Sequence, residues 1–417
     1  MGSWLNLSLE RAEAVSDYFS PKRVDSLALL RKAQWPNRKT EAWKYTPLRV
    51  LQDAQFEAAN ATTTASVDAI AGFESLDLVF IDGRLSTTIA EHSLPAGLLI
   101  SSFGGVTDKP WALEHFSAIK PNRHLFGLVN DVLATEGVLI DVIPGANIER
   151  PIRIVNISTT NAESHTRVLV RVGEAAKLTV LEQGEGRDYS FNTAFTEYDL
   201  ADSAELQHYR FALHAGAAMS VGGSHFRLAN KSLLNSTLVG FGSVLSRVDM
   251  DVIHGGEHAF AKLNAIYLLS GEELFDLHST IEHAEPHGTT EENVRGIVAD
   301  HARAVFNGRI HIHRNAQKTL AELNNRNLLM SNKAEINTKP ELEIYADDVK
   351  CAHGATVAEI DKEALYYMQT RGMSKSQAQI MLNFGFINEL VDQMPSQALA
   401  EWLRPQLRER FAHMDVG

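Results

Sequence analysis

The sequence predicts a mainly β chain in which a long β core lies between helical N-terminal and C-terminal regions. Three observations carry this. From Gly137 to about Val357 the chain is a succession of short β-branched runs punctuated by Gly, Asn, Asp and Pro. Within it a small residue, any residue and Leu recur at Ala176-Lys177-Leu178, Ala204-Glu205-Leu206, Ser232-Leu233-Leu234 and Ala261-Lys262-Leu263, the leucines 28, 28 and 29 residues apart. Apolar residues at helical spacing occupy both flanks. A fixed period of this size, filled by strands, points to a stacked β-helix whose coils bury their faces against one another. Chance recurrence in a chain rich in Ala and Leu is the competing account.

The elements follow in order. Leu9, Ala12, Val15, Leu27 and Leu30 set helical spacing from Ser8 to about Ala33, and Pro21 is expected to split it into two helices. Residues 54–71 are small and polar and read as a linker. The run Leu76 to Ile81 reads as a strand that stops at the turn pair Asp82-Gly83. Trp111 to Asn130 reads as helix. Val138–Ile143 and Ile152–Ile157 are typical core strands. After Asp361 the spacing of Glu363, Ala364, Tyr367, Met368 and Arg371 is helical, and Gly372 is a plausible stop. Ser374 should cap a helix to about Met394, with Ala378, Met381, Leu382, Phe386 and Leu390 as its apolar stripe. Pro395-Ser396 breaks it before a third helix over 397–413. The implied divisions are a helical or mixed region at 1–136, a β-helix core at 137–357 and a helical domain at 358–417.

Composition narrows the function. An apolar content of 44% with 22% charged residues suits a packed core and excludes a disordered chain. A net charge of −13 argues against phosphate backbones and anionic lipid, so neither nucleic acid nor a membrane is an expected partner. The single cysteine, Cys351, excludes an internal disulfide and a CxxC pair, and fits a reducing, cytoplasmic setting. The first thirty residues lack a signal-peptide core and carry acids that a transit peptide avoids. Asn6 stands where a myristoylation signal on Gly2 needs Ser or Thr. No apolar run is long enough to span a bilayer. No GxxxxGK[ST], GxSxG or HExxH is present. The glycine pairs at 104–105, 222–223 and 255–256 lack a strand-Gly-helix context and read as turns.

Histidine supplies most of the candidate chemistry. His278, His283 and His287 cluster in an acidic stretch that reads as loop. His311 and His313 flank Ile312 on a strand and so share a face, where two imidazoles can hold a metal if a third ligand joins them. Two hydrophilic positions on a solvent face is the plainer reading. Cys351 and His353 are the sharper pair, again at strand spacing. A thiolate beside an imidazole suits iron or zinc with positions left open for ligands from another chain. Against this stands a buried structural cysteine. Asp347-Asp348 could tune the pair, or simply make a turn.

At this stretch the chain resembles a known family. Ala316-Gln317-Lys318-Thr319, Asn327-Leu328-Leu329-Met330-Ser331 and the run from Ala334 through Glu341-Leu342-Glu343-Ile344-Tyr345 to Cys351-Ala352-His353-Gly354-Ala355-Thr356 are similar to the SufB/SufD scaffolds of SUF iron–sulfur cluster assembly. The match continues through Ala364-Leu365-Tyr366-Tyr367-Met368 and Arg371-Gly372. Upstream, Glu41-Ala42-Trp43-Lys44-Tyr45-Thr46 resembles the family's N-terminal motif. The Cys-x-His-Gly pattern is that of the SufD branch. SufB-type chains are longer, have a cysteine where Asn325 stands here, and have His-Glu in place of His353-Gly354.

The resemblance implies a right-handed parallel β-helix between helical ends. It implies a non-catalytic scaffold that pairs with a SufB-type paralogue through the β-helices, with an ABC-type ATPase, SufC, docked on the C-terminal helices. The motor being a separate subunit accounts for the missing P-loop. No permanently bound cofactor is implied. Iron or a nascent iron–sulfur cluster would sit transiently at the SufB junction, with His353 and Cys351 as candidate ligands. A flavin, and a homodimer of the isolated chain, stay open. The competing class is a β-helix enzyme acting on polysaccharide, or a stand-alone histidine metalloenzyme. For the former the sequence offers no acid pair on adjacent coils, and only 8% aromatic residues for stacking on sugars.

Overall fold

A computed structural model describes residues 3–57, 64–90 and 93–414. Gly2 and the middle of the expected linker, residues 58–63, lie outside them. The N-terminal part holds α1 (Ser3–Glu13), α2 (Ser20–Lys32), α3 (Arg49–Gln52), β1 (Leu76–Ile81), β2 (Arg84–Leu85), β3 (Leu98–Ser102), α4 (Pro110–His115) and α5 (Leu125–Leu133). Sixteen strands follow. The first eight are β4 (Glu136–Val142), β5 (Ile152–Ile157), β6 (Glu163–Val172), β7 (Lys177–Glu185), β8 (Ser190–Leu200), β9 (Glu205–Ala212), β10 (Ala218–Leu228) and β11 (Leu233–Phe241). The rest are β12 (Leu245–His254), β13 (Phe260–Leu269), β14 (Leu274–His283), β15 (Thr289–Val298), β16 (Arg303–Ile312), β17 (Leu320–Leu329), β18 (Glu335–Ile344) and β19 (Lys350–Ala358). Helices α6 (Lys362–Thr370), α7 (Lys375–Asp392) and α8 (Gln397–His413) close the chain.

Consecutive core strands alternate between two sheets. Odd-numbered strands from β5 to β19 pair in parallel in a ten-stranded sheet, and even-numbered strands from β4 to β18 do so in a nine-stranded sheet. This is a parallel β-solenoid of about eight turns. β1 extends the first sheet and is closed by an antiparallel hairpin with β2, while β3 lies antiparallel on β4. The N-terminal end of the solenoid is therefore capped. At the other end β18 and β19 are the outermost strands, each paired on one side only.

Residues facing between the sheets form the main core, with Leu178, Leu206, Leu234, Phe226, Val252, Phe275 and Ile310 fully buried in it. The outer face of the nine-stranded sheet is covered by the N-terminal helices. There Trp4, Trp43 and Phe126 meet Phe191, Phe195, Val221 and Leu245. The outer face of the ten-stranded sheet is covered by α7 and α8, through Ile387, Leu390, Leu403 and Leu407 against Tyr209, Phe211, Val239 and Ile266.

The structure corrects several expectations. Pro21 does not split a helix; it sits in the first turn of α2, where its missing N–H costs nothing. The break falls earlier, at residues 14–19, where Asp17 accepts the Phe19 N–H. The stretch 111–130 is two helices, because Glu197 from β8 accepts the N–H groups of Ser117, Ile119 and Lys120 at 2.7–2.8 Å and holds the chain out of helix. Ser374 does cap α7, in a reciprocal box with Gln377. The buried side of α7 is Ala378, Gln379, Asn383, Ile387, Leu390 and Val391, whereas Met381 is 61% exposed.

The repeat is in register for three rungs only. Leu178 pairs with Leu206 and Leu206 with Leu234, but Leu234 pairs with Ala261 rather than Leu263. That coil is one residue shorter than the two before it.

Candidate metal centre at the open end of the solenoid

Strand β19 continues two inward-facing ladders. One runs Leu178, Leu206, Leu234, Ala261, Thr290, Ala321 and ends on Cys351. The other runs Val180, His208, Ser236, Leu263, Glu292, Leu323 and ends on His353. The alternation of a strand puts both on one face, as the spacing implies. In inner coils such positions are sealed by the next coil. Here no coil follows, so Cys351 is half-buried and His353 is exposed. Burial pushes the Cys351 thiol up, against a partly opposing hydrogen bond with the Ala321 backbone. A Cβ at Gly354 would meet nothing within 4 Å, so the surface beside His353 is open. Among the described residues no third His, Cys, Asp or Glu joins this pair. Asp348 forms an ion pair with Lys318 at the preceding corner.

The other histidine groups disperse. His278 and His283 are not in a loop but on β14, and His287 lies in the turn after it. Their partners differ: Asp276 for His278 at 2.9 Å, the stacked ring of His254 for His283, and that of His258 for His287. His311 and His313 do lie close, with ring centres 4.7 Å apart, but each is held by its own carboxylate. His311 meets Glu343 at 3.0 Å and His313 meets Glu282 at 2.5 Å.

Comparison with known proteins places the chain. Residues 155–386 match the family model for the SufBD core domain of SUF-system FeS cluster assembly, and residues 9–154 match the SufBD protein N-terminal region. The iron–sulfur cluster assembly protein SufD of Escherichia coli is 30% identical over 96% of this chain and 95% of its own length. The chain belongs to the SufBD family. A SufBD family protein of Synechocystis is 28% identical, covering 92% of this chain and 89% of the relative. A chloroplastic protein of Arabidopsis thaliana is 27% identical, covering 96% and 90%.

The stretch Glu41–Thr46, within the residues that match the SufBD N-terminal region, has a structural task that the sequence alone does not show. It straps the N-terminal layer to the solenoid. Trp43 lies over the Arg247 guanidinium at 4.1 Å, and Arg247 donates to the Ala42 carbonyl at 2.5 Å. Thr46 donates to buried Asp276 at 2.6 Å, and Lys339 of β18 reaches Glu41 at 2.6 Å. Beside this strap lies a constellation that sequence reasoning missed. His124, His225 and Asp251 each offer a ligand atom, all within 4.8 Å of one another. They come from the N-terminus of α5, from β10 and from β12, so no local spacing could reveal them.

Proposed function

We propose that the chain is a non-catalytic scaffold subunit of iron–sulfur cluster assembly, working in a complex with a SufB-type paralogue and a SufC-type ATPase. The observation that carries this reading is the difference between the two solenoid ends. The N-terminal end is capped by antiparallel strands; the C-terminal end presents free strand edges and two inward ladders ending on Cys351 and His353. An imidazole and a half-buried thiol leave most of a metal's coordination shell unfilled. A paralogue docked on this end would supply the missing ligands, and the cargo, iron or a nascent cluster, would sit between the two chains.

The C-terminal helices suit the second partnership. α7 and α8 are anchored on the solenoid, so movement imposed on them reaches the core. α6 and the start of α7 expose Tyr366, Tyr367 and Met381 to 58% or more, an apolar surface fit for an ATPase subunit. The test is the complex reconstituted with its paralogue, ATPase and sulfur donor. His353→Ala should lower the iron and acid-labile sulfide it accumulates while leaving the assembly intact. Unchanged iron and sulfide would remove His353 from the site.

A further inference from the structure

We propose a second metal site, unrelated to the solenoid end, in which His124, His225 and Asp251 bind one borderline divalent cation, Zn2+ or Fe2+. Two imidazoles and a carboxylate are the donor set such ions take, with further positions left for water or another ligand.

The geometry is already assembled. His225 and Asp251 are register partners on β10 and β12, on the face turned away from the core. His124 approaches from the turn before α5, and a hydrogen bond of 2.7 Å joins its Nε2 to Asp251 Oδ2. His225 Nδ1 lies 2.8 Å from the same oxygen but out of hydrogen-bond alignment. His225 is completely buried, and its Nε2 has no partner among the described residues. The ring lies parallel to that of Phe195, with centres 5.8 Å apart. A cavity of about 110 Å³ lined by Arg123, His124, Asp249 and Asp251 adjoins the group.

Charge points the same way. Three buried carboxylates crowd together here: Asp249 and Asp276 on the Arg247 guanidinium, with His278 also on Asp276, and Asp251 between His124 and Arg123. A divalent cation suits a pocket this rich in carboxylate oxygens. In its absence the Arg123 guanidinium covers Asp251. Arg123 is the loose member, with its side chain 48% exposed against 4% for Asp251, and it can swing into solvent. The ion would replace that guanidinium and the direct contact between His124 and Asp251.

The experiment is equilibrium dialysis of the chelator-stripped, full-length chain against Zn2+ and, without oxygen, Fe2+, with bound metal counted by elemental analysis. One ion per chain is expected, and the two arms identify which metal is preferred. His124→Gln, on the surface turn, and Asp251→Asn should each weaken binding by about 100-fold or more. Arg123→Ala should tighten it, because the competing cation is gone. His353→Ala should leave it unchanged. The ion should also raise the melting temperature of the parent chain but not of His124→Gln, which separates lost binding from lost folding. Absence of stoichiometric uptake overturns the proposal. So does uptake that survives His124→Gln and Asp251→Asn but falls with His353→Ala, since the metal would then sit at the solenoid end.

Discussion

Glu292 lies inside the solenoid on the ladder that ends at His353, and its Oε2 has no partner among the described residues. Burial pushes its carboxyl up to about 7, with only Ser279 pulling the other way. The folded chain therefore holds this proton over a range where the unfolded chain has released it. Stability falls as pH rises from the usual carboxyl range near 4.5 to about 7, and stays lowered above that. Glu292→Gln keeps the shape and removes the charge. It should match the parent chain near pH 4 and exceed it at pH 8 by on the order of 2–3 kcal/mol, measured by denaturant unfolding at both pH values. A gap that does not grow with pH would show that Glu292 is ionised and satisfied in the fold. Glu182, deeper in the same interior, behaves oppositely. It accepts hydrogen bonds from Thr196, Tyr198, Arg210 and Ser224 at 2.8–2.9 Å and shares one with His208. It is held down to about 2, because its charge is satisfied despite burial. Two buried glutamates in one lumen thus differ by what surrounds them, which a sequence without its register does not display.

At the scale of the element, six consecutive coils, from β6–β7 to β16–β17, turn from the nine-stranded to the ten-stranded sheet through a left-handed residue other than glycine. Ala175, Ser203, Lys231, His258, His287 and Lys318 occupy this corner with φ between +53° and +61°. The N–H of each donates to a carbonyl of the next coil's corner, as from Ala175 to Asp202 at 2.9 Å and from Ser203 to Asn230 at 2.8 Å. Backbone bonding sustains a conformation that a Cβ disfavours by roughly 1 kcal/mol. Ala175 is exposed, so Ala175→Gly changes little else and should stabilise by about 0.5–1 kcal/mol, whereas Ala175→Val should destabilise by more than that. Equal unfolding midpoints for the three proteins would show that the corner is relaxed. These corners also explain what the sequence made legible. β-branched runs marked the strands, and Leu178, Leu206 and Leu234 marked the first coils because those coils have equal length. Once the coils shorten and then lengthen, a fixed period slips off the true ladder, and Leu263 was matched where Ala261 stacks. The Cys351–His353 pair was visible because strand alternation is local. The His124–His225–Asp251 group was not, because packing of α5 on a sheet brings it together. Met381 looked like a core residue because spacing finds an apolar stripe but cannot say how much of it the fold buries.

For the whole molecule, the unequal ends of the solenoid set how it can associate. A free strand edge is a template for pairing, and monomeric proteins blunt such edges with charge or proline. β18 is blunted in this way by Lys339, Pro340, Glu341 and Glu343. β19 is not: among its nine residues only Lys350, at its start, carries a fixed charge, and Val357 near its end is 47% exposed. Ile344 and Tyr345 add apolar surface at the same end, 42% and 59% exposed. On the proposed reading this edge is where the SufB-type paralogue docks, and a charge placed there must be desolvated for docking to occur. Val357→Lys should therefore weaken the pairing at least tenfold, about 1.4 kcal/mol, while leaving the melting temperature of the isolated chain nearly unchanged, since Val357 lies on the exposed edge strand and belongs to none of the buried core clusters. Light scattering after size exclusion, on the chain mixed with the paralogue and the ATPase, reads the pairing, and thermal unfolding of the chain alone reads its stability. A complex that keeps its mass with Val357→Lys would mean that the free end of the solenoid is not the junction, and the ligands at Cys351 and His353 would then have no second chain to complete them.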